Sequence, residues 1–170
     1  MKKCFKVCSN TDLLHMFGFN SIKIDPKGRI AMPAKYRDIL FELNTNKIVV
    51  TQDPQYPALK IYPQGVWNDI SSRLQSLQSL DPIVRKLQWT ILGNASVQDF
   101  DAQSRMLLMI PGELRAHAEI EIKEKIALVG MGDKFELWSL ANWEARQHGG
   151  PLSTEILEVV LPEKLKNMAF

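Results

Sequence analysis

The apolar positions of this chain follow two periods. Between residues 64 and 80, Val66, Ile70, Leu74 and Leu77 recur every three or four places, which predicts an amphipathic helix. Asp81-Pro82 marks a second helix start: a carboxylate caps the first N–H groups, and proline stands where a missing N–H costs nothing. Ile83, Val84, Leu87 and Ile91 form the stripe of that helix, which ends near Gly93-Asn94. A last helical stretch, residues 154–168, carries Ile156, Leu157, Val160, Leu161 and Leu165. Pro162 breaks or restarts it, and Gly149-Gly150-Pro151 precedes it as a hinge-like linker. Elsewhere the apolar runs are short and rich in β-branched or aromatic residues, as at 47–51, 59–62, 125–129 and 135–138, and predict strands.

Those strands belong to an internal repeat. Asp25-Pro26-Lys27-Gly28-Arg29-Ile30 returns as Asp101-Ala102-Gln103-Ser104-Arg105-Met106 at an offset of 76, and Leu59-Lys60-Ile61-Tyr62-Pro63 with Trp67 returns as Phe135-Glu136-Leu137-Trp138-Ser139 with Trp143 at the same offset. Pro33 and Arg37 match Pro111 and Arg115 at 78, so about two residues are inserted locally, with a compensating shorter loop later. The slip is expected between Arg105 and Pro111, lengthening that strand and forming a bulge at Met109-Ile110.

Each copy reads as one series. A short strand (21–24 or 96–100) leads into the Asp-to-Arg turn, and a second strand (29–32 or 105–110) is ended by Pro33 or Pro111. One or two helical turns follow, at 34–40 or 112–117, and then two more strands. Units of roughly 50 residues are marginal alone. The two copies are therefore expected to close on each other into one shared barrel, giving an α+β, mainly β, fold with flanking helices.

Composition narrows the setting. The chain has 170 residues, 45% hydrophobic and 24% charged. No apolar run approaches the roughly 18–20 residues of a membrane span. Cys4 and Cys8 cannot form a disulfide framework, which points to a reducing cytoplasm. A net charge of +2 is too small to signal nucleic acid by itself, so the placement of Lys and Arg carries that argument.

The Asp25-to-Arg29 turn concentrates positive charge. Gly28 suits a tight turn because it takes φ > 0 freely, and Asp25 suits accepting the turn's N–H groups. Lys27 and Arg29 then project from the tip, with Lys23, Lys35 and Arg37 close in sequence. Such a patch suits phosphates, and a guanidinium also suits guanine O6 and N7 in the major groove. The blander alternative is a solvated hairpin with Arg29 paired to Asp25. Arg105 repeats Arg29, but Gln103-Ser104 replaces Lys27-Gly28, so the second tip is expected to grip more weakly.

Enzyme constellations are missing from the sequence: there is no Gly-x-x-x-x-Gly-Lys-Ser/Thr loop, no Gly-x-Gly-x-x-Gly and no Gly-x-Ser-x-Gly. Cys4 and Cys8 lack partner ligands, so no metal and no cofactor is expected. His117 reads as a surface or interface residue rather than a base. Trp67, Trp138 and Trp143 read as core anchors, and Trp89 suits an interface.

The chain resembles the MraZ family, bacterial regulators built from two fused swapped-hairpin SpoVT–AbrB units. The match rests on Asp25-Pro26-Lys27-Gly28-Arg29, Pro33 and Tyr36-Arg37, then on residues 59–63 with Trp67. In the second half it rests on Gly93-Asn94-Ala95-Ser96, Asp101, Arg105, Leu128-Val129-Gly130 and residues 134–138. The resemblance implies a double swapped-hairpin AbrB-like barrel. It sets out residues 1–15 as an extension expected to be disordered, 16–68 as the first repeat and 69–94 as connecting helices. Residues 95–144 form the second repeat and 145–170 a C-terminal helical region. It further implies a transcription factor of the cytoplasm and nucleoid, repressing the division and cell-wall gene cluster that contains its own gene. The partners so implied are short direct repeats in promoter DNA and further copies in a ring, with no membrane. By carry-over Lys27 and Arg29 contact DNA, with Arg105 as the second-half equivalent. A non-enzymatic structural or interaction protein, solubilised by its basic hairpin, is the competing class.

Overall fold

The computed structural model describes residues 16–43, 46–78, 80–99 and 106–148. The elements run β1 (Met16–Lys23), β2 (Arg29–Ala31), α1 (Ala34–Glu42), β3 (Lys47–Gln52), β4 (Ala58–Pro63), α2 (Gln64–Ser76) and α3 (Pro82–Ile91), then β5 (Ser96–Asp99), β6 (Leu107–Met109), α4 (Gly112–His117), β7 (Lys125–Gly132), β8 (Phe135–Ser139) and α5 (Leu140–Gln147). The chain divides after Leu140, and every described strand lies in the first unit. Residues 1–15 and 149–170, with the expected N-terminal disorder and the last helical stretch, lie outside the described residues.

All pairings are antiparallel. Six strands form one sheet in the order β1-β7-β8-β4-β3-β5, and β2 pairs with β6 in a separate two-stranded ribbon. Exchanging β1 with β5, β3 with β7 and β4 with β8 turns that order into its own reverse, so the repeat in sequence is a two-fold relation in space. The first strand of each copy pairs with the third strand of the other: β1 with β7, β5 with β3. The expected closed barrel is corrected. The described strands make an open sheet with edges at β1 and β5, plus the ribbon. Eight short strands contributed four by each copy can bury one core without joining end to end.

That core is shared. Ile24, Ile30, Tyr36, Leu40, Ile48, Leu59 and Ile61 of the first copy and Leu108, Ile110, Leu114, Ile126, Leu128, Phe135 and Leu137 of the second are buried in one cluster. Each such side chain contributes about 1.5–3 kcal/mol relative to exposure. In the ribbon only the central pair, Ile30 opposite Leu108, turns inward, as strand alternation requires. Trp138 is buried, as expected for an anchor, and Tyr36 meets Phe135 edge-on at 4.8 Å. The β1–β7 seam is closed by Gly130, where any β-carbon would collide with the Met16 carbonyl oxygen.

The helix signals translate directly. Asp81 Oδ1 accepts from Ile83 N at 2.8 Å, capping α3, and Pro82 stands at its first position. Gln88 donates to the Leu74 carbonyl at 2.7 Å and Thr51 to the Ile91 carbonyl at 2.7 Å, which fixes α3 against α2 and β3. Its stripe is only partly covered: Val84, Leu87 and Ile91 are half-buried, while Ile83, and Trp89 beside it, are exposed. α5 is the repeat equivalent of α2 and straddles residue 144.

Candidate nucleic-acid interface

The turn after β1 is braced from inside. Asp25 Oδ1 accepts from Lys27 N and from Arg29 N, both at 2.9 Å, while Oδ2 takes Arg29 Nε at 2.8 Å and its terminal nitrogen at 2.7 Å. The backbone closes the same loop, with Asp25 N donating to Arg29 O at 2.8 Å and Gly28 N to Asp25 O at 3.0 Å. Gly28 lies at φ +77°, in the left-handed region that favours glycine. The N–H of Arg29, ahead of its guanidinium and the N–H of Lys27, holds the Asp25 carboxyl below its ordinary range against the raising effect of desolvation. The Asp25–Arg29 pair of the blander reading is therefore present. It engages two of the five guanidinium N–H donors and sets the direction of the rest.

The tip is also supported by the other copy. Ile110 N donates to Gly28 O at 2.8 Å, and Ile110 O accepts from Arg115 Nε at 3.1 Å. Gly28 is buried against this pair: a β-carbon there would lie 3.4 Å from both Arg115 Nε and Ile110 O.

The predicted residues separate into groups. Lys23 ends β1 and Arg29 begins β2, on either side of the turn that carries Lys27; the two lysines are exposed and Arg29 partly so. Lys35 is placed elsewhere, with Nζ 4.6 Å from the centre of the Tyr36 ring and 3.3 Å from where a β-carbon of Gly18 would stand. Gly18 is five residues from Lys23, about 17 Å along β1. Arg37 is half-buried, and its Nε is buried with no hydrogen-bond partner among the described residues. Arg105 and the rest of the second tip, 100–105, lie outside the described residues.

The ribbon register relocates the inserted residues. Arg29 pairs with Met109, Ile30 with Leu108 and Ala31 with Leu107. The ladder is continuous through Met109, and Ile110 extends it to Gly28, so the expected bulge at Met109-Ile110 is corrected. The two-fold relation centred on Ile30 and Leu108 makes Leu107 the positional equivalent of Arg29. The extra residues therefore fall ahead of Leu107, on the tip side of the strand.

Three residues that sequence reasoning passed over bear on this region. Lys125 stands directly opposite Lys23 across β1 and β7. Arg115 lies under Gly28, a role its match to Arg37 only partly signalled. Gln98 bonds the Met109 peptide from both sides, its amide nitrogen to the carbonyl and its oxygen accepting from Met109 N at 2.8 Å, and so ties β5 to the ribbon. His117, expected at the surface or an interface, has Nε2 at 3.2 Å from the carbonyls of Asp53 and Tyr56, clipping α4 to the β3–β4 loop. Among the described residues no group of three His, Cys, Asp or Glu side chains is arranged to hold a metal, and no helix is long and apolar enough to cross a membrane.

Two tandem antiparallel units, interleaved strand by strand and presenting a carboxylate-braced basic hairpin, define a repeat-built α+β protein whose distinctive chemistry lies at a loop tip. The chain belongs to the MraZ family. The family model described as "MraZ protein, putative antitoxin-like" matches residues 16–88 and 91–149, one match per copy. A protein of Hydrogenovibrio crunogenus named Transcriptional regulator MraZ is 45% identical over 133 residues, covering 78% of this chain and 85% of its own. Its namesake in Nitrosomonas europaea is 46% identical over 127 residues, covering 75% and 82%. That of Colwellia psychrerythraea is 39% identical over 152 residues, covering 89% and 97%.

Proposed function

We propose that this chain is a sequence-specific DNA-binding transcriptional regulator that represses the division and cell-wall operon containing its own gene, by gripping short direct repeats in the promoter. The observation that carries the reading is the Asp25–Arg29 turn. A carboxylate accepting two backbone N–H groups and a guanidinium holds Arg29 in one direction beside the exposed Lys27. Fixed direction is what reading guanine in the major groove demands of an arginine, and a good bidentate contact contributes about 1–3 kcal/mol. The names of the family relatives support the same class. The exchange of first and third strands between copies fits two fused swapped-hairpin AbrB-type units.

One hairpin supplies few contacts, so tandem operator boxes are matched by several copies bound at once. The exposed apolar side chains of α3, Ile83 and Trp89, fit a homo-oligomer, which we take to be a ring. The site of action is the cytoplasm and nucleoid, with Lys27 and Arg29 as principal contacts, Lys23 on the near side of the turn, and Arg105 as the basic contact of the second tip although the ribbon register gives Arg29's own place to Leu107. Lys35 and Arg37 serve the approach to the phosphates less directly, given where they stand.

The test is gel-shift titration of DNA from upstream of the chain's own gene. Arg29→Ala is expected to weaken binding tenfold or more while the mass of the assembly stays unchanged. Unchanged affinity would overturn the reading. A structural or interaction protein would bind without preference for that DNA over random duplex, and so would be told apart in the same titration.

A further inference from the structure

The two copies match strand for strand but differ in charge at the base of their tips. Where β1 runs into the first turn, Lys23 stands directly opposite Lys125 of β7. At the equivalent place on the other side, Asp99 stands opposite Lys47, with Nζ 3.8 Å from Oδ1. The equivalence is positional, since Asp99 follows Lys23 by the offset of 76 and Lys125 follows Lys47 by that of 78. One site thus carries two positive charges and the other an ion pair.

Residues directly opposite in an antiparallel pair share one face with β-carbons about 4.5–5.5 Å apart, and like charges there oppose the pairing. Lys23 and Lys125 are both exposed, and neither has a carboxylate in ion-pair range among the described residues. Glu121 and Glu124, the acidic neighbours in sequence, form no ion pair with either lysine among the described residues. The β1–β7 pairing does not need two lysines here, because the equivalent β5–β3 position is served by an acid and a base. Lys23 is four residues from Lys27, hence within about 14 Å of the tip by chain length alone.

We propose that Lys23 and Lys125 form a phosphodiester-binding site at the base of the first tip, holding the DNA backbone beside the bases that Arg29 reads, and that the second copy lacks this site. The inference rests on the DNA-binding reading above. Lys125 comes from the second copy, so the first copy's grip is completed by its partner half. The site is sequence-blind, since a phosphate carries no base identity.

The experiment measures affinity against salt, on the upstream DNA and on random duplex of equal length, for the full chain and four variants. Lys125→Gln is expected to weaken both DNAs alike, by about three- to tenfold, and to reduce the slope of log K against log salt by about one per bound subunit. Lys23→Asp transplants the second copy's pair onto the first. It is expected to reduce the slope by about two per bound subunit while leaving the thermal midpoint equal to or above that of the parent chain. Lys47→Gln, at the ion-paired position, is expected to leave affinity and slope unchanged.

If Lys125→Gln leaves the slope unchanged, or Lys47→Gln reduces it equally, the inference is overturned. Arg29→Ala separates the two failures. If it weakens binding while Lys125→Gln does not, only the phosphate site is lost; if neither matters and the parent chain shows no salt dependence, the DNA-binding reading falls as well.

Discussion

Arg115 lies beneath Gly28. A β-carbon at position 28 would sit 3.4 Å from its Nε and 3.5 Å from its Cζ, so a residue of the second copy forms the floor of the first copy's tip. The Ile110 peptide is held between them, giving its N–H to Gly28 and its carbonyl to Arg115. A β-carbon at position 28 would meet this floor at ordinary contact distance, so it is the positive φ of the backbone that opposes a side chain there.

Gly28→Ala should cost about 1–2 kcal/mol of stability, because residue 28 is held at positive φ, where a side chain is strained. Urea denaturation of parent and variant checks this. A variant as stable as the parent would mean the turn relaxes to another type.

Asp25 should titrate below its ordinary value of 3.8. Because folding lowers its pKa, the stability it adds is fully present above 3.8 and drains away as pH falls through the lower folded value. Carboxyl-carbon NMR across that range reads the midpoint directly. Asp25→Asn should remove this dependence and loosen Arg29.

Tyr36→Phe should destabilise by about 1–3 kcal/mol. The buried hydroxyl lies 2.9 Å from both the Phe17 and Gly18 carbonyls and accepts from Asn20 Nδ2 at 3.0 Å. Its loss leaves a donor and a carbonyl short at the start of β1. The damage should show as faster amide exchange in β1 than in β8.

Gln98→Glu keeps the acceptor for Met109 N but sets a carboxylate oxygen against the Met109 carbonyl. A loss of about 1 kcal/mol is expected. Met109 pairs with Arg29, so increased exchange at the Met109 amide would show the ribbon working loose from β5.

The tip was legible in the sequence because its chemistry is local. Asp25, Gly28 and Arg29 lie within five residues, and the spacing alone predicts the bonds that form. The capping of α3 by Asp81 was legible for the same reason. Register was not. Offsets of 76 and 78 reveal two inserted residues but not on which side of β6 they fall; only the pairing with Arg29–Ala31 decides it. Pairing across the copies was equally hidden, since nothing near Lys23 announces Lys125 as its neighbour. Basic residues close in sequence also proved a poor guide to a common surface. Lys23 and Arg29 flank one turn at the ends of β1 and β2, whereas α1 takes Lys35 to Tyr36 and half-buries Arg37.

Partner exchange between first and third strands has a consequence for synthesis. Met16 pairs with Gly132, so β1 leaves the ribosome long before its neighbour exists. At about 5–20 residues per second the delay is on the order of ten seconds. Throughout that interval β1 presents unsatisfied peptide groups with Phe17 and Phe19 alongside. Adjacent ribosomes on one message carry identical strands at staggered stages, so a leading chain's β7 offers a trailing chain's β1 the same register as its own. The hazard of this topology is thus concentrated in translation, and it should grow with the crowding of ribosomes on the message.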